Sequence, residues 1–248
     1  RHDATAKREQ EGLDDLVRLL DLEQGAEVID CFDISNLQGT HVVASRVRFR
    51  RGHPDRAGYR RFKIRGVDGQ DDFASMREAV LRSLQRGLRE DDLPDLVVID
   101  GGLGQLEKAL EARAEVGAFR VGVVSLAKAR SERHVKGRMK EASEERLFLP
   151  GAAAPLELVK GSPARHLLER VRDEAHRFAI TYHRKERGRI KSGLDAIPGV
   201  GEARRKLLLR TFGSLQGVRG ASVEELAALD GISASLARGI VDHLAGRD

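Results

Sequence analysis

The sequence has a single cysteine, Cys31, and no long run of apolar residues. One cysteine cannot form a disulfide within the chain or build a cysteine-based zinc site, and this scarcity suits a reducing cytoplasm. A transmembrane helix needs about 20 consecutive apolar residues, so a membrane span is excluded. The chain carries no secretory signal and starts with Arg1 rather than methionine, so we expect a cytoplasmic fragment of a longer protein.

Positive charge is concentrated in two segments of the chain. The 248 residues include 44 Lys and Arg against 39 Asp and Glu, which gives a formal net charge of +5. Nine basic residues lie between positions 41 and 66, where Asp55 is the one acid, and nine more lie between positions 184 and 210. Concentrated positive charge favours an acidic partner such as nucleic acid.

Two acidic residues lie in or at the end of apolar segments that are typical of buried strands. Residues 27–35 carry Asp33, and residues 95–100 end in Asp100 just before two glycines. Burying an ionised carboxylate is costly unless a cation or a hydrogen-bond donor compensates it. If the two strands lie side by side, about 4.8 Å apart, their carboxylates can share a divalent metal. For Asp100 alone, a turn or helix-capping role is an equally good explanation.

Hydrophobic periodicity predicts a mixed sheet in which helices alternate with strands. The predicted elements are strands at 27–35, 41–50 and 59–66, a helix at 71–88, a strand at 95–100, a helix at 105–116 and a strand at 121–128. The first three strands are predicted to form an antiparallel meander, because turn residues separate the second from the third. The later alternation of helix and apolar strand indicates parallel crossovers.

Less regular segments follow the last of these strands. Residues 129–145 are charged and poor in apolar residues, so we expect a mobile loop there. Residues 146–150 and 155–160 predict a short hairpin. Ser162 then begins a long helix that runs to about residue 190, with Pro163 in its first position.

The segment after residue 190 has the pattern of a tandem helix-hairpin-helix domain. Gly199 and Gly201 lie in a tight hairpin before a helix at 202–212, and a looser copy follows with Gly231 in its hairpin. Neither copy buries its apolar face alone, so the two are expected to stack as a pair. We therefore predict a linker helix at 1–22, an α/β domain at 23–190 and a small all-α domain at 191–248.

Glycines and basic residues in these segments are candidate DNA contacts. A hairpin glycine lets the backbone approach a phosphate, and the N-H groups of the following helix point at the anion. The candidates are Gly199, Gly201, Arg204, Arg205, Lys206 and Gly231 near the hairpins, and Arg46, Arg48, Arg61 and Lys63 on the basic strands. The second hairpin also fits a packing role, and a solvated surface is the usual alternative for the basic strands.

The predicted order of elements is the ribonuclease H-like arrangement, a mixed sheet with flanking helices and acids on its first and fourth strands. Several motifs make the sequence more specific than this order alone. They are Cys31-Phe-Asp-Ile-Ser35, Tyr59-Arg-Arg-Phe62, Asp71-Asp72-Phe73, Ile99-Asp-Gly-Gly102 with Gly104-Gln105, Leu126-Ala-Lys128 and Arg172-Asp-Glu-Ala-His-Arg-Phe-Ala179. They closely resemble the C-terminal half of proteins of the UvrC family, which are subunits of the bacterial excision nuclease.

This resemblance runs from about residue 25 to the end of the chain and implies a metal-dependent DNA endonuclease. Such a domain makes the incision 5′ to a lesion in double-stranded DNA during nucleotide excision repair, with UvrB as a partner that is contacted mainly outside this chain. The resemblance implies a metal-binding triad of Asp33, Asp100 and His176. Oxygen ligands favour Mg²⁺, and the imidazole makes Mn²⁺ easier to accept.

The resemblance also implies a part in the activity for Asp72, and it leaves some positions in question. Because Asp72 lies next to the first turn of a helix, interaction with the helix dipole is a serious alternative. A histidine beside an apolar stripe, such as His176, is by itself more often a structural or surface residue. Asp30 and Asn36 stand where we expect the family to have Glu and His.

Two other functions stay open from the sequence. The first is a nuclease of the same fold that acts on RNA–DNA hybrids or branched DNA. The second is a catalytically silent DNA-binding module, which would bind no metal at Asp33, Asp100 and His176.

Overall fold

A computed structural model describes residues 2–36, 42–65, 71–135 and 138–245, without the side chains of residues 2–4, 36, 129–144 and 183–192. The chain divides into two compact units. The first comprises Arg1–Ser35 and Val42–Ala179, and the second includes the chain from Ile180 onward. The sequence places this boundary after residue 190, whereas the division falls inside a long helix. The predicted helix at the N-terminus belongs to the first unit.

A mixed eight-stranded sheet forms the centre of the first unit. Its strands are β1 Val28–Asn36, β2 Val42–Arg50, β3 His53–Pro54, β4 Arg60–Lys63, β5 Leu96–Asp100, β6 Gly122–Val135, β7 Arg138–Phe148 and β8 Leu156–Glu157. They follow the order β3-β2-β1-β5-β6-β7-β8, with β4 paired antiparallel to β2. β5 runs parallel to both β1 and β6. The predicted crossovers, which bring the fourth predicted strand beside the first, are confirmed.

Helices cover both faces of this sheet. They are α1 His2–Leu20, α2 Asp72–Glu90, α3 Leu103–Glu115 and α4 Pro163–Asp195. Side chains alternate along a strand, so Cys31 of β1 packs in one core with Leu16 of α1 and Leu168 of α4. Phe32 packs in the opposite core with Val80 of α2 and with α3. The result is a three-layer α/β unit, and the predicted ribonuclease H-like fold class is confirmed.

The prediction of a mobile loop at 129–145 is wrong. β6 and β7 pair antiparallel from Ser125 opposite Phe148 to Val135 opposite Arg138, so the described residues of this segment belong to a long two-stranded ladder. Ladder hydrogen bonds are made by the backbone, and they form without the apolar face on which periodicity arguments depend. The predicted hairpin beyond it is confirmed, because β7 pairs with β8 through Arg146 and Leu147.

Two arginines on the basic face of β2 are buried, which corrects the prediction that Arg46 and Arg48 contact DNA. Arg46 is 5% exposed and Arg48 is 1% exposed. Arg48 donates from Nε to Asp30 Oδ1 at 2.7 Å, and Arg46 donates from Nη1 to Ser83 Oγ of α2 at 2.8 Å. The period-2 pattern gave the strand correctly, but α2 covers this face and a buried acid on β1 supplies the countercharge. These two guanidinium groups therefore cannot serve as a surface for phosphates.

A glycine allows this burial. Gly58 closes the 3₁₀ turn Arg56–Gly58 against β2, and its carbonyl oxygen accepts from Arg46 Nη2 at 2.6 Å. A Cβ atom at position 58 would lie 2.6 Å from Cδ of Arg48. Any larger residue would therefore displace the Arg48 stem.

The second unit contains the predicted pair of helix-hairpin-helix copies. Its helices after α4 are α5 Glu202–Phe212, α6 Leu215–Gly220, α7 Val223–Ala227 and α8 Ala234–Ala245. Leu208, Leu226 and Ile240 lie in one apolar core, so the copies bury their faces together. Gly199 and Gly231 adopt φ angles of +85° and +77° in the two hairpins, a region that favours glycine. No helix within the described residues is long and apolar enough to span a bilayer.

Candidate metal site

The register of two parallel strands brings the two predicted carboxylates together. Cys31 lies opposite Val98 and Phe32 lies opposite Ile99, so the same register places Asp33 of β1 opposite Asp100 of β5. The alternation of side chains puts both acids on the face that carries Cys31, which is the face packed against α4. They lie at the carboxyl ends of neighbouring strands, where α/β folds commonly place their ligands.

The third predicted residue comes from α4. Ala175 is buried in the core between α4 and the sheet, and the next side chain, His176, is 63% exposed. Its Nδ1 atom lies 3.9 Å from Oδ1 of Asp33. Asp33, Asp100 and His176 each offer a ligand atom within 4.8 Å of the others, which among the described residues forms a group able to hold a metal ion.

Burial and like charge make it costly to ionise the acidic groups at this site when no cation is present. Burial and then the like charge of Asp33 together raise the pKa of Asp100 from 3.8 to about 7, while Arg172 opposes the shift. The buried thiol of Cys31 has a pKa well above its ordinary value, first because of burial and then because of Asp100 and Asp33. The site therefore stabilises a cation placed between the carboxylates.

The geometry and the donor atoms fit a divalent ion. Ligands about 2.1 Å from an octahedral ion lie roughly 3 Å apart when adjacent and roughly 4.2 Å apart when opposite. The 3.9 Å between Nδ1 of His176 and Oδ1 of Asp33 lies between these two separations. Ser35 donates from Oγ to Oδ2 of Asp33 at 2.9 Å, while Oδ1 is the oxygen that approaches His176. This hydrogen bond fixes the orientation of the Asp33 carboxylate.

A buried ion pair that the sequence did not reveal lies behind the site. Arg172, one helical turn before His176, approaches Oε2 of Glu145 on β7 with Nη1 at 2.5 Å, and both residues are buried. Arg172 also donates to Asp173 at 2.8 Å. The local composition predicts a loop at Glu145, whereas the alternation of Glu145 with the apolar Leu147 is typical of a strand. The pair joins α4 to β7 and adds positive charge near Asp100.

The structure does not bring Asp72 into the group of three ligands among the described residues. Asp72 is the first residue of α2, and Asp71 caps the helix by accepting hydrogen bonds from the backbone N-H groups of Phe73 and Ala74. Asp72 lines a cleft between the first residues of α2 and of α3 together with Gly102, which follows Asp100 by two positions. A part for Asp72 in the activity remains a prediction.

The first hairpin of the second unit presents the predicted glycines at the start of α5. Gly201 is the N-cap of α5, and no side chain caps this helix start. Arg204 donates from Nη1 to the Gly199 carbonyl oxygen at 2.7 Å and from Nε to the Gly231 carbonyl oxygen at 2.8 Å. Its guanidinium group therefore links the two hairpins, a role that the sequence did not suggest.

The other two predicted DNA contacts of α5 have acidic neighbours. Arg205 pairs with Asp195, and Nζ of Lys206 lies 2.8 Å from Glu202. Lys206 and Glu202 are both mostly exposed, so a phosphate can replace this weak surface pair. Contacts with DNA by these residues remain predictions.

The strand candidates that stay at the surface are Arg61 and Lys63 of β4. The Arg61 guanidinium lies 3.7 Å from the centre of the Phe178 ring on α4, and it donates to the Phe178 carbonyl oxygen at 3.4 Å. The hydroxyl of Tyr59 donates to Glu174 at 2.7 Å. These contacts hold β4 and the segment before it against the turn of α4 that carries His176.

Comparison with known families agrees with this architecture. The UvrC RNAse H endonuclease domain family matches residues 17–180, and the SAM-like helix-hairpin-helix tandem family matches residues 192–245. The first match covers β1, β5 and α4 as far as Ile180, and so includes all three candidate ligands. The second covers both hairpins.

Curated relatives are proteins named UvrABC system protein C. The chain is 49% identical to the protein of Syntrophotalea carbinolica, in a match that covers 92% of this chain and 38% of the relative. It is 48% identical to the protein of Geobacter metallireducens, in a match that covers 95% of this chain and 39% of the relative. The chain thus spans less than two fifths of these relatives.

Among solved structures, Ciona intestinalis endonuclease V bound to an inosine-containing 24mer DNA matches at a TM-score of 0.41 and 13% identity, over 76% of this chain and 99% of that one. A likeness at that level carries no argument about activity. The family matches and the identities show that the chain belongs to the UvrC family, as its endonuclease domain followed by its helix-hairpin-helix tandem.

Proposed function

We propose that the chain is the catalytic part of a divalent-metal-dependent endonuclease that makes the 5′ incision at damaged double-stranded DNA in nucleotide excision repair. The observation that carries this proposal is the convergence of Asp33, Asp100 and His176 within 4.8 Å. Membership of the UvrC family supports the reaction class, and the tandem helix-hairpin-helix unit supports a DNA substrate.

Asp33, Asp100 and His176 would hold the metal, which supplies positive charge that polarises the phosphodiester and activates a water molecule. Ser35 holds Oδ2 of Asp33 by a hydrogen bond, which would leave Oδ1 to bind the ion. Asp100 enters the complex as a carboxylate, because a bound cation favours ionisation and so opposes the effect of burial on its pKa. His176 contributes a neutral nitrogen from a helix that the packing of α4 fixes in place.

The ligand set indicates which ion is held. Two carboxylates and one neutral imidazole total a charge of about −2, enough to balance one divalent ion. Carboxylate oxygens suit Mg²⁺, and the imidazole nitrogen is accepted more readily by Mn²⁺. We therefore propose a single Mg²⁺ or Mn²⁺ in the DNA-free protein.

The second unit would bind the DNA backbone without reading its sequence. Two hairpins with glycines in the positive-φ region, and the start of α5, offer backbone N-H groups to phosphates. Lys206 on α5 adds positive charge to this unit. In the first unit, Arg61 and Lys63 on β4 are separate proposed contacts with DNA. We propose that UvrB delivers the damaged duplex, because the relatives are named as components of the UvrABC system.

The test is an incision assay on a duplex with one lesion and a 5′ label, with the chain carried in the complete excision nuclease. We expect Asp33→Asn to abolish the 5′ cut while DNA binding persists. Asp91→Asn is a matched control, because Asp91 is an exposed acid at the C-cap of α2 with φ of +51°, a conformation that asparagine tolerates.

Each other outcome points elsewhere. Incision by Asp33→Asn at the wild-type rate would contradict the proposed catalytic site. Cleavage of RNA–DNA hybrids in preference to damaged duplex would indicate a different nuclease of this fold. Absence of both metal binding and cleavage in the wild type would leave a DNA-binding module.

A further inference from the structure

One basic residue beside the candidate metal site has no part in the function described so far. β6 runs parallel to β5 with Ser125 opposite Ile99 and Leu126 opposite Asp100. Leu126 is buried in the core beneath α4. Because side chains alternate, Lys128 lies on the same face as Leu126 and Asp100, two residues nearer the carboxyl end of its strand.

The sheet geometry fixes how far Lys128 lies from the carboxylates. Neighbouring strands are about 4.8 Å apart and rise about 3.3 Å per residue, so the Cα atoms of Lys128 and Asp100 are roughly 8 Å apart. A lysine side chain extends roughly 6 Å and ends in a compact ammonium group with three donors. With this Cα separation and side-chain length, the ammonium group of Lys128 can reach a molecule that is bound at Asp100.

The neighbouring charges argue against a purely structural role. Lys128 lies directly across from Glu145 on β7, the obvious partner for a cross-strand ion pair. The Glu145 carboxylate is instead buried and held by Arg172 at 2.5 Å. Lys128 is exposed, and among the side chains that the structure describes no ion pair or hydrogen bond of Lys128 is found. Its ammonium group therefore stands in solvent at the rim of the candidate site.

We propose that Lys128 is a catalytic residue that donates a hydrogen bond to a non-bridging oxygen of the scissile phosphodiester. The proposal rests on the proposed function, because the phosphate is the one held at Asp33, Asp100 and His176. Negative charge on the phosphoryl oxygens is stabilised by a fixed cation in the transition state. In this step the water oxygen forms a bond to phosphorus, and the bond from phosphorus to the 3′ oxygen breaks. The water gives up one proton to solvent and the departing 3′ oxygen takes one from solvent, so Lys128 acts only as a hydrogen-bond donor.

The experiment measures kcat and KM for 5′ incision by the complete excision nuclease, and Mn²⁺ binding by the same variants. We expect Lys128→Ala to lower kcat about 100-fold or more while Mn²⁺ affinity stays at the wild-type value. Lys128→Arg should recover most of that loss, because it restores the charge. Lys128→Gln keeps the length without the charge, and it replaces the alanine variant if that one melts at a lower temperature.

Lys160→Ala is the control for the loss of a surface lysine. Lys160 is exposed and precedes α4. At about 1.5 Å per residue along the helix, it lies roughly 20 Å from His176. We expect its kcat and KM to be unchanged.

Two results would overturn the inference. The first is wild-type kcat in Lys128→Ala and Lys128→Gln while Asp33→Asn is inactive, which leaves the proposed function standing. The second is a rise in KM alone, which would place Lys128 on DNA away from the scissile phosphate. If Asp33→Asn also cuts at the wild-type rate, the proposed function fails as well.

Discussion

Nδ1 of His176 lies 3.9 Å from Oδ1 of Asp33, although one residue belongs to a helix and the other to a central strand. This separation is too long for a hydrogen bond and fits two ligands of one ion. Because α4 packs its apolar stripe on the sheet, the position of His176 follows from the fold. The site is therefore formed in the free protein, without DNA.

Replacing Asp100 by Asn should stabilise the metal-free protein at high pH. The pKa of Asp100 is raised from 3.8 to about 7, so its contribution to stability is fully present below pH 3.8 and lost as the pH rises through about 7. We expect metal-free Asp100→Asn to melt above wild type at about pH 8 and to match it at about pH 4. Thermal melts in a chelator test this, with the exposed Asp91→Asn as control. A lower melting temperature at pH 8 would contradict the like-charge account.

Removing the guanidinium of Arg48 should lower the free energy of unfolding and leave DNA binding intact. Arg48→Met would remove the two short contacts to the buried Asp30 carboxylate and leave the longer one to Arg46 at 3.5 Å. Breaking a buried ion pair in this way typically costs about 3–5 kcal/mol. Arg50→Met on the same strand should cost less than about 1 kcal/mol, because Arg50 is 49% exposed and its ion pairs are long. Urea denaturation measures both. Equal costs for the two variants, or a lower salt dependence of DNA binding in Arg48→Met, would contradict the burial.

Two basic residues of α5 should respond differently to removal. Lys206→Ala should lower the slope of log K against log salt on duplex DNA by about 0.9, with the melting temperature unchanged. Arg204→Ala should also lower the melting temperature, because two hydrogen bonds from its charged group to hairpin carbonyl oxygens are lost. Binding at several salt concentrations and thermal melts separate the two. An unchanged melting temperature in Arg204→Ala would show that its bridge between the hairpins contributes nothing.

Much of the fold follows from apolar patterning, and the exceptions have a common cause. The buried strands around Asp33 and Asp100 are apolar enough to read directly. Apolar patterning does not predict the pairing of β6 with β7, because many residues of these strands are charged and the ladder is made by the backbone. The burial of Arg46 and Arg48 was missed because alternation along a strand does not say which face a helix will cover.

The candidate site was predictable in part. Burying an acid on an apolar strand is unfavourable unless a cation or a donor compensates it, and this identifies Asp33 and Asp100 as candidate ligands. His176 is exposed beside an apolar stripe, and only its surrounding motif distinguishes it from an ordinary surface histidine. The position of Lys128 depends on the register between strands, which a single sequence does not determine.

The most direct test of the account is a calorimetric titration of the DNA-free chain with Mn²⁺ at about pH 7.5. The account predicts one ion in the wild type, and affinity weakened at least about 10-fold in each of Asp33→Asn, Asp100→Asn and His176→Ala. Asp72→Asn should bind as the wild type does, because Asp72 lies outside the group of three ligands. Two equally tight ions in the wild type, or wild-type affinity in His176→Ala, would contradict the metal site described here.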